Sequence, residues 1–134
     1  EEFLKALDGV ELLTAGTGPE ALAKLPMNSP ADAATSVDLI LMDIRMPEMS
    51  GIDACRLIKS NAFAGDILVI KVTAHDDDEE HLSNAFDAGA MDYIKKPVNR
   101  VELLSRVRSA LELKREMDSR KRAYAELEKT VAEL

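Results

Sequence analysis

One cysteine, Cys55, is all that this sequence of 134 residues contains, which excludes an internal disulfide framework and suits a reducing cytosol. No apolar run approaches membrane-spanning length, and no signal peptide is present. Positive charge is scarce: 17 Lys and Arg stand against 25 Asp and Glu, a net charge of −8. That balance argues against gripping nucleic acid through a basic face. No glycine-rich phosphate loop follows any strand-like run, so a nucleotide- or flavin-binding enzyme lacks support. Internal repeats and low-complexity segments are missing too. What remains is an ordinary globular composition, 46% hydrophobic and 31% charged, long enough for one domain and an appended element. The opening residue is Glu1 rather than Met, as in a piece of a longer chain.

Short apolar runs alternate with helical stripes, the pattern of an α/β parallel sheet with crossover helices. Phe3, Leu4 and Leu7 read as the tail of a helix stopped at Gly9, and Val10 to Ala15 as a strand. Thr17, Gly18 and Pro19 open a helix carrying Ala21, Leu22 and Leu25 inward. Residues 26–36 form a loop. Val37 to Met42 is a nearly continuous apolar run, as expected of a strand buried on both faces. A helix follows Pro47 and Gly51, with Ile52, Cys55 and Ile58 on one side, and Cys55 reads as core. Ile67 to Val72 is a buried strand, Asp76 to Ala88 a helix closed by Gly89, and Met91 to Ile94 a last short strand. The acidic run Asp76 to Glu80 suits a helix N-terminus, while His75 and His81 lack the partner set of a zinc site. From Val101 the chain reads as helix to its end.

Three polar residues close three of the apolar runs: Asp43, Thr73 and Lys96. Ligands of open parallel sheets bind beyond the carboxyl ends of the strands, so residues at neighbouring strand ends converge. A carboxylate there can attack a phosphoryl group while a hydroxyl and an ammonium hold the oxygens on which charge accumulates. Any one of these residues alone would read as a cap, a satisfied strand hydroxyl or a surface charge.

With their surrounding words, LILMDIRMPEMSG (Leu39 to Gly51), VIKVTAH (Val69 to His75) and AFDAGAMDYIKKP (Ala85 to Pro97), these residues resemble the receiver domains of two-component response regulators. The resemblance covers the chain up to about Arg108. It implies a flavodoxin-like (CheY-like) three-layer αβα fold for residues 1–108, with 109–134 as a helical linker. Asp43 is then the phosphoacceptor, serving a histidine kinase or phosphotransfer protein, and the chain is no enzyme beyond assisting its own phosphoryl transfer and hydrolysis. Thr73 contacts the phosphoryl group, Lys96 pairs with its oxygens, and Pro97 follows a cis peptide that aims Lys96. Tyr93 matches an aromatic switch position, although simple packing also accounts for it. Mg²⁺ is the implied cofactor, held by Asp43 and the backbone carbonyl of Arg45. The side chains of Arg45 and His75 stand at positions that tune phosphoryl-group lifetime. A cytoplasmic location and no membrane partner are expected from the single cysteine and the short apolar runs.

Two departures stand out. The family begins with a strand ending in an acidic pair that holds the metal, and roughly 15–20 residues ahead of Glu1 would carry it. In the order 2-1-3-4-5 that strand lies between the runs at Val10 and Val37. A preceding segment, a strand from another chain, or a degenerate receiver acting only as a dimerisation or scaffold module would each account for this. Without the pair, residues 1–134 alone are expected to take up phosphate poorly. Lys71 is the second departure, a charge inside an apolar strand, expected to snorkel toward the strand end or fill a local gap. Beyond the docking stripe Leu104, Val107 and Leu111, a heptad register runs through Ala110, Leu113, Met117, Arg120, Tyr124, Leu127, Val131 and Leu134. It reads as a homodimeric coiled coil leading to an effector domain beyond Leu134, or else as a solvated helix extension.

Overall fold

In the computed structural model the apolar runs become a parallel sheet covered on both faces. The structure describes residues 3–7, 9–27, 37–44, 48–73 and 88–134. A 3₁₀ turn at Phe3–Ala6 is followed by α1 (Gly18–Ala23), β1 (Leu39–Asp43), α2 (Gly51–Ser60), β2 (Leu68–Thr73), β3 (Asp92–Lys95) and α3 (Arg100–Ala132). The strands lie in the order β1–β2–β3, and both pairings are parallel. Each strand extends one residue beyond the expected carboxyl end, so Asp43 and Thr73 are terminal strand residues.

Alternation along β1 and β2 feeds two cores. Ile40, Met42 and Val69 face Ala54, Cys55 and Ile58 of α2, with Leu22 beside them. Leu39, Leu41, Leu68 and Ile70 face Leu103, Leu104, Val107 and Ala110 of α3, with Leu4 and Leu7 closing the edge. Burial from both sides explains why β2 is apolar almost throughout. Side chains start each of the three described helices: Thr17 Oγ1 accepts from Glu20 N–H (3.2 Å), Ser50 Oγ from Asp53 N–H (3.1 Å) and Asn99 Oδ1 from Glu102 N–H (3.0 Å). Each contributes about 1 kcal/mol.

Three expectations are corrected. Phe3–Ala6 is a 3₁₀ turn rather than the end of an α-helix. Residues 10–15 form no strand and pair with none of the three described strands. A strand exists through its neighbour, and the neighbour implied by the 2-1-3-4-5 order is not among the described residues. The heptad register is partly consumed by the domain itself: Ala110 is fully buried in the α3-side core and Met117 packs against it. Tyr124, Leu127 and Val131 are exposed. The expected helix over residues 76–88 lies outside the described residues, apart from Ala88.

α3 has no break at the expected boundary near residue 108. Its 33 residues span about 50 Å. Beyond the docked stripe, Lys121 Nζ meets Asp66 Oδ2 at 2.7 Å, in the loop before β2. Each partner favours the charged form of the other, lowering the Asp66 pKa and raising that of Lys121.

Gly51 is where the fold leaves no room. A Cβ there would come 2.0 Å from the Asp43 carbonyl oxygen and 2.9 Å from Ile44 Cα. In a helix Ala normally outperforms Gly by roughly 1 kcal/mol, but this contact is with backbone and cannot yield cheaply. Gly51→Ala is therefore expected to destabilise the protein by roughly 2–3 kcal/mol in urea unfolding, against the helix-propensity trend.

Candidate functional site

Parallel pairing sets Asp43 beside Val72 and Thr73 beside Lys95, so the carboxyl ends of all three strands are level to within a residue. Hydrogen bonding continues one step past each pairing: Ile44 N–H donates to Val72 O (3.1 Å) and Lys96 N–H to Thr73 O (2.7 Å). Lys96 is thereby fixed next to the end of the middle strand. From there its ammonium reaches over to β1, where Nζ lies 2.7 Å from Asp43 Oδ2. The Lys96–Pro97 peptide bond is cis.

The two side chains of this pair are 46% and 39% exposed. So open a salt bridge adds about 0–1 kcal/mol to stability, too little to explain it as a fold device. Openness does leave the carboxylate accessible to a reagent. Thr73 is the opposite: fully buried, with an Oγ1 that has no hydrogen-bond partner among the described residues. A buried hydroxyl left unpaired costs about 1–3 kcal/mol, an expense typical of a group kept for binding. Tyr93 is half-buried on β3, at the register position beside Lys71. Arg45 and His75 lie outside the described residues.

With the fold and this rim described, comparison with known proteins gives the family. The family model of the response regulator receiver domain matches residues 1–108. This chain belongs to the response regulator receiver domain family. RegX3 of Mycolicibacterium smegmatis, a sensory transduction protein, is 33% identical over 109 residues, which cover 81% of this chain and 43% of RegX3. The chain spans less than half the length of the curated relatives it matches. The crystal structure of a CheY-like receiver domain protein from Methanospirillum hungatei superposes with a TM-score of 0.70 at 29% identity, covering 87% of this chain and 84% of that one. A sensor histidine kinase receiver domain from Pseudomonas aeruginosa, solved with magnesium in its active-site cleft, superposes with a TM-score of 0.67 at 26% identity, covering 83% of this chain and 84% of that one.

Does this receiver domain hold the residues for such an ion? Among the described residues no three carboxylate, imidazole or thiolate groups cluster as a metal site. At the rim Asp43 is the one carboxylate among the described residues, and Lys96 already engages it. Magnesium requires near-octahedral oxygen ligation, so this donor set does not fit the ion by itself.

The sequence signalled Lys71 as odd without revealing its partners. It does not snorkel: the side chain is fully buried between β2 and α2, where Nζ donates to the Gly51 carbonyl and lies 3.2 Å from Met42 Sδ. Burial lowers its pKa from 10.5 to about 8, and the nearby Cys55 thiol opposes this slightly. Cys55 is itself pushed up by burial. Below about pH 8 the folded protein bears the full cost of the buried ammonium. Between about 8 and 10.5 the unfolded chain binds more protons, so this residue makes stability rise with pH, by at most about 3 kcal/mol. Comparing urea unfolding of wild type and Lys71→Met across that window isolates the effect. The variant is expected to be more stable below pH 8 by about 1–3 kcal/mol, with the gap closing as pH rises.

Proposed function

We propose that Asp43 accepts a phosphoryl group from a phosphohistidine of a histidine kinase or phosphotransfer protein. The observation that carries this is the open Asp43–Lys96 pair at 2.7 Å, beside the unpartnered hydroxyl of Thr73 at the next strand end. An Asp43 carboxylate oxygen attacks phosphorus, an O–P bond forms, and the P–N bond to the imidazole breaks with its electron pair returning to the ring. Lys96 leaves Asp43 Oδ2 for the incoming phosphoryl oxygens, and Thr73 Oγ1 donates to one of them. The charge that accumulates then meets groups already in place. In the family at large a divalent metal adds charge neutralisation at this rim. The chain is a substrate that assists its own phosphorylation and hydrolysis rather than an enzyme acting on other molecules. Intact Asp43 and Lys96, held together in the open, support this over a scaffold that has abandoned the chemistry.

In the same reading Thr73 moves as it engages the phosphoryl group, and the Tyr93 ring turns inward with it to remodel the face made by β3 and α3. The exposed Tyr124, Leu127 and Val131 of α3 pair with a second copy and pass the change to an effector beyond Leu134. Among the described residues no helix is long and apolar enough to cross a membrane. A cytoplasmic setting fits the proposed kinase partner.

Two measurements test this. In the intact gene product, Asp43→Ala is expected to abolish hydroxylamine-sensitive phosphate incorporation seen by mass spectrometry, and normal stoichiometry in that variant would refute the assignment. For the dimer, Leu127→Glu with Val131→Glu is expected to convert a dimer into a monomer in sedimentation equilibrium while the circular dichroism of the domain persists. A wild-type monomer at all concentrations would remove the coiled coil.

A further inference from the structure

The Asp43 backbone is gripped from below by Gly51, and Gly51 is gripped in turn by Lys71. Gly51 N–H donates to Ile44 O at 2.7 Å, and the Gly51 α-carbon packs so closely on the Asp43 carbonyl that no side chain fits between them. On its other side the Gly51 carbonyl accepts from the Lys71 ammonium. The end of β1, the start of α2 and the middle of β2 are thus tied at one residue.

We propose that Lys71 is a positioning residue for the phosphoacceptor, acting through Gly51 to hold the Asp43 backbone at the height where Lys96 meets its carboxylate. The proposal rests on Asp43 being the phosphoacceptor.

A purely structural role explains Lys71 badly. Its ammonium is fully buried with one carbonyl and one thioether for three protons, among the described residues. It points at the N-terminal end of α2, where the helix dipole disfavours positive charge. The Gly51 carbonyl is already committed to the helix through the regular bond from Cys55 four residues on, so Lys71 is a second donor rather than a rescue of an orphan. Among the described residues, the titratable groups around it are Cys55 on α2 and Tyr93 at its register position on β3. Neither offers a carboxylate to offset the charge. A methionine would fill the same slot without that cost. Fold-level cost without fold-level return is the mark of a residue retained for a site.

The test uses the intact gene product, acetyl phosphate as donor, and the variant Lys71→Met. The variant is expected to unfold at the same or a higher urea concentration than wild type and yet to be phosphorylated roughly tenfold more slowly at saturating donor, with the half-saturating donor concentration little changed. Wild-type rates are expected to decline toward those of the variant as pH is raised past about 8. Amide exchange at Gly51 is expected to quicken in the variant while exchange in β2 does not. Equal rates for wild type and variant overturn the proposal, as does a slow rate that merely tracks a loss of folded protein. If wild type itself takes no phosphate, the role of Asp43 falls and the proposal with it, whereas an active wild type matched by an active variant removes Lys71 alone.

Discussion

The rim of this receiver domain depends on a reach across the sheet. Asp43 ends β1 and Lys96 follows β3, yet their charged groups meet at 2.7 Å over the end of β2, which lies between them. That is possible only if the three strand ends are level, because a slip of one residue moves a strand by about 3.3 Å and turns its side chains to the opposite face. Register is therefore the quantity the rest of the molecule serves. It is enforced by burying β2 on both faces, so that Val69 must meet α2 and Ile70 must meet α3.

Beneath the rim, packing and chemistry pull in different directions. The α2-side core would be served by a hydrocarbon at residue 71 and instead carries an ammonium. Thr73, two residues on, spends a buried hydroxyl without a described partner. Both costs fall on the same face of the same strand, while the opposite face, bearing Leu68 and Ile70, is conventional core. The sheet thus separates its tasks by parity: one face stabilises, and the other yields some stability for what happens at its carboxyl end.

Much of this was legible from residues alone, for identifiable reasons. Asp43, Thr73 and Lys96 could be placed at one rim because each closes a short apolar run, and parallel topology brings such endings together. The segment at residues 10–15 read as a strand and is not one here, because composition reports that a segment can pair, not that a neighbour exists. Parity put Lys71 on the Thr73 side but could not say which carbonyl its flexible stem would find. The heptad reading overshot at Ala110 and Met117 because a 3.5-residue seam and a 3.6-residue docking stripe diverge by only about 20° per heptad, so over two turns one pattern passes for the other. Arg45 and His75 lie outside the described residues.

The length of α3 has a consequence of its own. A free peptide the size of residues 122–134 would be a marginal helix in water, since nucleation is what isolated helices cannot meet. Here the docked turns bearing Leu103, Leu104 and Val107 are already wound against the sheet, and every further residue only propagates them. Propagation conserves phase at about 100° per residue. The compass bearing at which Tyr124, Leu127 and Val131 emerge is thus dictated from within the domain, by how the first turns of the rod nest on Ile70 and Ile94.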